Sequence, residues 1–443
     1  MSTTDEGIRV GALVEPLTAV TRLASSGRFG EYVIYERPDG WIFAGGVLGA
    51  IELDTTELRV TWAGETRVKM WAGRPAKALE RALASLPLAG RNAYGWIGFE
   101  ACAYAFKAEA HLGSEPLAHL FVPQIEVFVD TRGAVVARGG SDEQDAVWEV
   151  LLAPESDTAD PADASVTPAD VDVRTDTTGY RDRVAQAVGE IRDGRYGKVI
   201  LSRKVDLPFR VDMPATYRLG REHNTPARSF LFRLGGLEAA GFSPELVVSV
   251  DDDRVVTTEP LAGTRAFGRG ETDDLLARMD LESDPKEIVE HAVSVRASFA
   301  EIASIAEPGT PAVSDFMTVR ERGSVQHLAS TVHGTLSADR TSWDALEALF
   351  PSVTASGIPK RECVDAIFRL DGSARGLYSG AVLTISPTGA MEATLVLRAA
   401  YQNDSGAWLR AGAGVIAQSV PEREFEETCE KLGSIAPYVV ELR

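Results

Sequence analysis

Two predicted helices each carry a pair of glutamates whose spacing places both carboxylates on one helical face. Glu287 and Glu290 lie in the first helix; Glu424 and Glu427 lie in the second, followed by Lys431. Side chains three or four residues apart are neighbours on a helix surface. Together the two pairs could cradle a magnesium ion, which prefers oxygen ligands and often joins carboxylates to an anionic substrate. Spacing alone, however, favours the commoner arrangement, in which such glutamates lie on solvated helix faces.

The charge of the chain limits its partners. Lys and Arg total 45 and Asp and Glu total 65, which gives a net charge of −20 over 443 residues. A field of this sign repels nucleic acids and anionic lipids, so we expect no nucleic-acid partner and no membrane partner. It also repels anionic metabolites. A site for such a metabolite must therefore supply its own cations, from Lys, Arg or a bound metal.

The composition predicts a soluble cytoplasmic protein. No apolar run approaches the ~20 residues that a membrane span needs, and the first residues lack the pattern of a secretion signal. Three cysteines occur, Cys102, Cys363 and Cys429, with no metal-ligand spacing. Isolated cysteines of this kind are typical of reduced structural residues in the cytosol.

Hydrophobic periodicity predicts short strands in adjacent runs, interleaved with a few helices. Such an order indicates an α+β fold rather than strict βαβ alternation. Helices are predicted at 75–86, 180–194, 215–221, 285–306 and 421–432. Strands are predicted at 32–35, 41–44, 93–99, 198–205, 229–234, 246–250, 255–258, 382–385, 393–398 and 408–411.

Residues 153–173 are rich in Asp, Pro, Ala, Ser and Thr and have no apolar periodicity. Such a composition is typical of a solvated linker or loop. This acidic segment separates an N-terminal part, 1–152, from a C-terminal core, 174–443.

A set of motifs in the C-terminal core resembles, in order, the motifs of the chorismate-utilising enzymes. They are KVILSR at 198–203, SPEL at 243–246, EPLAGTR at 259–265, DPKEIVEH at 284–291, SVQHL at 324–328, TASGIPK at 354–360, GLYSG at 376–380, RAGAGVI at 410–416 and PEREFEET at 421–428. Each is weak alone, but jointly they are specific. The segment GWIGFE at 95–100 also resembles the salicylate synthases of siderophore pathways, so the similarity extends over nearly the whole chain.

This resemblance implies one large domain, residues 1–443, built of antiparallel β-sheets flanked by helices with an active-site cleft between them. The acidic segment would then be a loop within a single fold. The family further implies a monomer, with Mg²⁺ as cofactor and chorismate as substrate.

The resemblance also implies a role for each matching residue. Lys198 would be the base that activates water for attack at C2 of chorismate, and Glu245 the acid that protonates the hydroxyl leaving C4. A lysine must be desolvated or lie near positive charge to act as a base near pH 7, whereas the glutamate must be buried to keep its proton. Lys198 begins an apolar strand, which suits desolvation.

The remaining roles concern the metal and the substrate carboxylates. Glu290 and Glu427 resemble the principal magnesium ligands, with Glu287 and Glu424 close by. Candidate substrate-binding residues are Gly263, Thr264, Thr354, Tyr378, Arg398, Gly412, Gly414 and Lys431. Among them Arg398 and Tyr378 would grip the enolpyruvyl carboxylate, because a guanidinium matches a carboxylate. His327 lies at a position whose role is either lyase-related or structural.

Two positions separate the branches of this family. Lys198 indicates water as nucleophile, since anthranilate synthases carry Gln there and use ammonia, although aminodeoxychorismate synthases also carry Lys. Thr354 stands where enzymes that stop at isochorismate typically have Ala. Together they predict a salicylate synthase, which converts chorismate through isochorismate to salicylate and pyruvate.

Three alternatives stay open. The first is an isochorismate synthase that releases its intermediate, and product analysis would separate the two. The second is an aminodeoxychorismate or anthranilate synthase large subunit, which needs ammonia or an amidotransferase partner; we expect no such partner. The third is a non-catalytic chorismate-binding relative, against which the intact Lys198, Glu245, Glu290 and Glu427 argue.

Overall fold

Antiparallel β-structure dominates the fold, a computed structural model that describes residues 7–11, 14–153 and 167–442. Within these residues every strand pair is antiparallel. The strands are β1 (Gly7–Gly11), β2 (Tyr32–Arg37), β3 (Gly40–Leu53), β4 (Glu57–Trp62), β5 (Glu65–Met70), β6 (Ala93–Ile97), β7 (Ala118–Asp130), β8 (Val135–Gly139), β9 (Lys198–Leu207), β10 (Arg228–Leu234), β11 (Leu237–Ser243), β12 (Leu246–Val250), β13 (Val255–Thr258), β14 (Leu261–Ala266), β15 (Ala312–Arg322), β16 (Val325–Thr335), β17 (Gly357–Ile358), β18 (Ala381–Ile385), β19 (Met391–Leu395), β20 (Ala399–Asn403) and β21 (Gly406–Val415).

The long strands β3 and β7 pair along their whole length and belong to two sheet layers. In the first layer the order is β1-β8-β7-β3-β2-β10-β11-β20-β21-β9-β17. In the second it is β5-β4-β3-β7-β6-β18-β19-β12-β13-β16, with β14 following β13 on one edge of β16 and β15 on the other. A sheet buries its apolar face by packing against another layer, and these two layers pack face to face.

Large aromatic residues fill the space between the layers. Phe230 and Phe232 of β10 and Tyr401 of β20 come from the first layer, whereas Tyr94 and Trp96 of β6 come from the second. All five are buried. Side chains that alternate along each strand therefore supply this inner core, and the opposite strand faces pack against helices.

The helices lie outside the sheets. They are α1 (Pro16–Ser25), α2 (Pro75–Ala84), α3 (Ala103–Phe106), α4 (Ser141–Leu152), α5 (Tyr180–Arg192), α6 (Met213–Glu222), α7 (Glu271–Ser283), α8 (Pro285–Ala303), α9 (Ser342–Leu349), α10 (Lys360–Leu370) and α11 (Pro421–Leu432). Helix α8 packs on β14 and β16, and α11 packs on β21 and α5. These two helices carry the glutamate pairs, and Glu290 of α8 and Glu427 of α11 line the same pocket.

The predicted α+β class and antiparallel architecture are confirmed. The helix predicted at 285–306 begins at Pro285 as expected, because the Asp284 carboxylate caps it by accepting from the backbone N–H of Lys286 at 2.8 Å. The predicted bounds 421–432, 246–250 and 255–258 match α11, β12 and β13. Helix α7 and strands β14 to β16 were not predicted from periodicity. They include mixed polar stretches, such as β15, whose side chains are mostly exposed or half-buried.

The acidic segment predicted at 153–173 falls largely outside the described residues. Its last residues lie against the fold, because Val171 and Val173 pack on the core and the backbone N–H of Ala169 donates to the carbonyl of Val439 at 2.8 Å. No helix within the described ranges combines the length and the apolar character that a membrane span requires.

Candidate active site

A cleft opens where β9 and β21 of the first layer meet β14 and β16 of the second, beneath α8 and α11. It is lined by twelve of the fourteen residues that the sequence proposed for the site: Lys198, Glu245, Gly263, Thr264, Glu290, Thr354, Tyr378, Arg398, Gly412, Gly414, Glu427 and Lys431. The other two, Glu287 and Glu424, do not line it. The mixture of charged, hydroxyl and apolar groups along its lining suits a small polar metabolite.

The floor of the cleft is the paired strands β9 and β21. Alternation along β9 sends Lys198 and Ile200 into the cleft, whereas Val199 and Leu201 pack into the core. Opposite Ile200 on β21 stands Gly414, where an added Cβ would lie 3.1 Å from Cε of Lys198. The missing side chain on β21 therefore leaves room for the buried lysine.

Lys198 forms an ion pair across the cleft. Its Nζ lies 2.6 Å from Oε1 of Glu290 on α8, and the residue is only 8% exposed. Behind the strand, the thiol of Cys363 donates to the Lys198 carbonyl at 2.8 Å. Backbone and side chain of the predicted base are thus both held in place.

Glu245 is held by three donors at the turn between β11 and β12. Its Oε2 accepts from the backbone N–H of Leu261 at 2.9 Å, and its Oε1 accepts from the hydroxyls of Ser352, at 3.3 Å, and Thr354. The two hydroxyls also contact each other at 2.7 Å. Thr354, chosen from the sequence as a marker of the family branch, therefore touches the predicted acid directly.

Burial sets the protonation of Glu245. The residue is 2% exposed, and desolvation raises its pKa to about 7, although its hydrogen bonds with Thr354, Leu261 and Ser352 oppose the rise. A carboxyl group with such a pKa carries a proton for part of the time near neutral pH. This is the property that a general acid needs.

His327 has a fixed tautomer in the structure. Its Nε2 lies 2.7 Å from Nη2 of Arg398, which can only donate, so Nε2 is the acceptor. Its Nδ1 then carries the hydrogen and donates to Oγ1 of Thr264 at 3.0 Å. Burial and then the charge of Arg398 hold the pKa of His327 well below its usual range. The ring is therefore neutral and links two predicted substrate-binding residues.

Arg398 keeps free donors toward the cleft. Its Nη1 donates to the carbonyl of Arg322 at 2.9 Å and its Nη2 to His327. A guanidinium has five N–H groups, so three of them remain without a partner among the described residues. The residue also adopts φ +52°, a left-handed conformation that non-glycine residues seldom take and that functional sites often impose. Arg398 is well placed to grip a carboxylate.

Two glycines allow groups to approach closely. At Gly412 an added Cβ would lie 2.5 Å from the carbonyl of Leu201 and 2.9 Å from Oη of Tyr378, so no side chain fits. Gly263 has φ +85° at a register shift in β14, and an added Cβ would lie 3.2 Å from Oε2 of Glu287. Both positions require glycine on steric grounds.

The four glutamates differ in their contacts. Glu290 and Glu427 face the cleft, where Glu290 pairs with Lys198 and Glu427 with Lys431 at 2.8 Å. Glu287 instead lies 2.9 Å from Nη1 of Arg265. Glu424 is buried one turn before Glu427; burial, and then the neighbouring carboxylate, raises its pKa to about 7.

These donors fit a magnesium ion held by few protein ligands. Within the described ranges no three His, Cys, Asp or Glu side chains form a ready-made metal cluster. However, Mg²⁺ commonly takes one or two carboxylates, with water and substrate oxygens completing its shell. Two cleft-facing carboxylates with a third buried beside them suit that pattern. Such an ion would also relieve the repulsion between Glu424 and Glu427.

Sequence reasoning missed several residues that line the cleft or support its side chains. Arg410 begins the RAGAGVI motif, but the sequence indicated no role for it. Ser352, which contacts Glu245, carried no signal in the sequence. The apolar lining carries no chemical signal in the sequence and only the fold brings it together: Ile200, Pro244, Leu261, Ala262, Ala355, Leu397, Ala411, Leu432 and Ile435.

Comparison of the amino-acid sequence with those of known proteins finds related enzymes. The chain is 56% identical over 427 residues to a salicylate synthase of Mycolicibacterium paratuberculosis, covering 96% of this chain and 93% of that protein. It is 38% identical over 260 residues to an anthranilate synthase component 1 of Haloferax volcanii, covering 58% of this chain and 49% of that protein.

Solved structures share the architecture. Anthranilate synthase component I from Streptococcus pneumoniae matches with a TM-score of 0.76 and 25% identity, over 91% of this chain and 92% of that one. The menaquinone-specific isochorismate synthase of Escherichia coli matches in fold with a TM-score of 0.72 and 19% identity, over 98% and 95% of the two chains. A family profile described as chorismate binding enzyme matches residues 31–437, and this chain therefore belongs to that family.

Proposed function

We propose that this chain is a salicylate synthase, which converts chorismate to isochorismate and then to salicylate and pyruvate. Two observations support the proposal: the 56% identity to a protein of that activity over nearly the whole chain, and the presence of Lys198, Glu245 and Thr354 in one cleft. The second of these carries the chemistry, because it brings a candidate base, a candidate acid and the residue typical of pyruvate release together.

In the first step, Lys198 would take a proton from water as the new C–O bond forms at C2. For this its amine must be neutral, so Glu290 would have to leave the ion pair with Lys198, as it would when it holds Mg²⁺. Glu245 would give its proton to the hydroxyl that leaves C4. The raised pKa of Glu245 keeps that proton available near neutral pH. Ser352 and Thr354 hold the carboxyl group in a fixed orientation, so it needs little rearrangement before it donates.

In the second step, the C2 hydrogen of isochorismate moves to the enolpyruvyl methylene while the C–O bond breaks. Such a pericyclic step needs a shaped pocket more than acid or base groups. Arg398, with its free N–H groups, and Tyr378 would fix the enolpyruvyl carboxylate. His327 is neutral and occupied on both nitrogens, so we assign it the positioning of Arg398 and Thr264 rather than proton transfer.

Glu290 and Glu427 would hold Mg²⁺, with Glu424 and Glu287 nearby. When bound, the ion supplies neutralisation and orientation of the ring carboxylate of the substrate. The chain has a net charge of −20, which repels an anionic metabolite, and the positive charge of the ion would offset that repulsion within the cleft. Lys431, ion-paired with Glu427, adds a cation at the same end of the cleft.

The decisive experiment mixes purified protein, chorismate and Mg²⁺, with and without a chelator. Salicylate fluorescence and pyruvate release are followed together. We expect equal amounts of both products and loss of both on chelation. Isochorismate without pyruvate would instead make the chain an isochorismate synthase, and a nitrogen-containing product formed with ammonia would place it with the anthranilate or aminodeoxychorismate synthases.

A further inference from the structure

Arg410 lines the cleft, yet its guanidinium is fully used by the protein. Nε donates to Oγ of Ser202 at 2.8 Å; Nη1 donates to the carbonyl of Ala374 at 2.5 Å and to Oγ of Ser373 at 3.4 Å. Nη2 donates to the carbonyl of Ser373 at 3.2 Å and to Oδ2 of Asp371 at 3.3 Å. All five N–H groups thus have acceptors. Arg410 has no donor left for a substrate carboxylate, which distinguishes it from Arg398.

Asp371 joins Arg410 to a second buried arginine. Its Oδ2 also accepts from Nε of Arg375 at 2.7 Å, and the Arg375 and Asp371 side chains are 1% and 2% exposed. Arg375 in turn donates to the carbonyls of Ala355 at 2.8 Å and Ile200 at 2.7 Å, two residues of the cleft lining. We call Asp371, Arg375 and Arg410 the Asp371 cluster. It braces the cleft from behind.

The two arginines of the Asp371 cluster lie near the ring of Tyr378. The guanidinium carbons of Arg375 and Arg410 lie 5.6 and 5.7 Å from the ring centroid, within the range of a cation–π contact. Tyr378 lines the cleft, and its hydroxyl has no hydrogen-bond partner among the described residues. Burial raises the pKa of Tyr378, so the phenol keeps its hydrogen at neutral pH and can donate it.

We propose that Arg410 is a positioning residue, which holds the Tyr378 hydroxyl ready to donate to a substrate carboxylate without touching the substrate itself. The inference rests on the proposed function, because it assumes an anionic substrate in this cleft. The guanidinium groups of Arg375 and Arg410 make the phenol a stronger donor, and the saturated hydrogen bonds of Arg410 fix the position of its own charge beside the ring. Arg410 would thus act on substrate binding only through Tyr378.

A double-mutant cycle tests this relation. Arg410→Gln should raise KM for chorismate about tenfold and lower kcat less, since the contact that it supports forms on binding. Tyr378→Phe should have a similar effect. In the Tyr378→Phe background, adding Arg410→Gln should change kcat/KM by less than about twofold. Additive losses, about a hundredfold in the double variant, would show that Arg410 acts independently of the hydroxyl and would overturn the proposal.

Loss of a buried ion pair could also act simply through folding. Arg221→Gln on α6 removes a partly buried bidentate pair with Glu36 of β2, away from the cleft lining, and serves as the control for loss of an ion pair. It should lower thermal stability and leave KM unchanged. If Arg410→Gln does not fold, Asp371→Asn enters the same cycle, because it loosens the same guanidinium. An unchanged KM in a folded cluster variant would also refute the proposal.

The outcome separates this inference from the proposed function. A wild-type protein that does not turn over chorismate contradicts the proposed function. If the wild-type protein makes salicylate but the cluster variants still raise KM in the Tyr378→Phe background, only the role of Arg410 is contradicted.

Discussion

Nζ of Lys198 lies 2.6 Å from Oε1 of Glu290, so the candidate base and a candidate metal ligand form an ion pair. The pair joins β9 to α8, two elements far apart in the chain. A substitution at either residue leaves the other charge buried with no partner, which typically costs several kcal/mol. Experiments that separate base from metal ligand must therefore measure each step of the reaction and the stability of each variant.

Lys198→Ala should abolish hydration of chorismate, with a loss of at least about a hundredfold, because no other group in the proposal takes the proton from water. Isochorismate added to the variant should still give salicylate, since the second step needs no base. Salicylate fluorescence with each substrate measures both steps. Lys204→Ala, on the same strand but half-exposed beside Asp206, is the control and should keep both activities. If Lys198→Ala loses both steps while Lys204→Ala keeps them, Lys198 does not have the proposed role of base in the first step only.

Activity with chorismate should fall as pH rises through about 7, because Glu245 must carry a proton to act as the acid and burial raises its pKa to about 7. Ser352→Ala removes one hydrogen-bond donor to the Glu245 carboxylate. Because that bond stabilises the charged form, its loss favours the protonated form of Glu245 and raises the pKa further. The basic limb of the profile of kcat/KM against pH should then move upward by about half a unit. Ser356→Ala, a neighbouring hydroxyl bonded to the Ser352 carbonyl, should leave the limb in place.

The same pKa predicts how Glu245 affects stability. Its folded-state pKa, about 7, lies above the ordinary value of 4.5, so its favourable contribution is complete below pH 4.5 and is lost as pH rises through 7. Glu245→Gln carries no charge at any pH. Relative to the wild type, its free energy of unfolding should increase by about 2 kcal/mol between about pH 5 and pH 8. Denaturant unfolding at both pH values measures this, and a constant difference would contradict the assigned pKa.

The sequence predicted the polar part of the site well and its supporting residues poorly. Lys198, Glu245 and Arg398 belong to motifs whose residue types match the chemistry, and all three line the cleft. Ser352 has no such signal, because a serine near a proline is common in any loop. Its contact with Glu245 depends on a separation of 107 residues in the chain. Arg410 stood in a quoted motif, but only its buried acceptors reveal what it does.

The helices and strands were likewise predictable only where local sequence signals mark them. Helix α8 was predictable because Asp284 and Pro285 mark its start and apolar residues recur along it. Strands β14 and β15 were not, because β14 contains Gly263 and β15 is stabilised mainly by pairing with β16, a contact that leaves no period in either sequence. For the glutamates, spacing gave the helical face but could not show that Glu287 turns to Arg265.

Glu427→Gln should weaken the response to Mg²⁺, because it removes one of the two carboxylates that face the cleft. The concentration of Mg²⁺ for half-maximal activity should rise at least about tenfold, and the thermal stabilisation by Mg²⁺ without substrate should shrink in parallel. Glu430→Gln lies on the same helix, ion-paired with Arg423 at the surface, and should change neither. An unaltered metal titration in Glu427→Gln would exclude this residue from the metal site.

Thr354→Ala should shift the products from salicylate toward isochorismate. The variant loses both the hydroxyl that donates to Glu245 and the methyl group that helps to shape the pocket, whereas the pericyclic step depends on that shape. Thr354→Ser restores the hydroxyl alone. If the pocket shape matters, Thr354→Ser should still release isochorismate; if the hydroxyl matters, it should make salicylate as the wild type does. Chromatography of both products during turnover gives the ratio, and an unchanged ratio in Thr354→Ala would show that this position does not select the branch of the reaction.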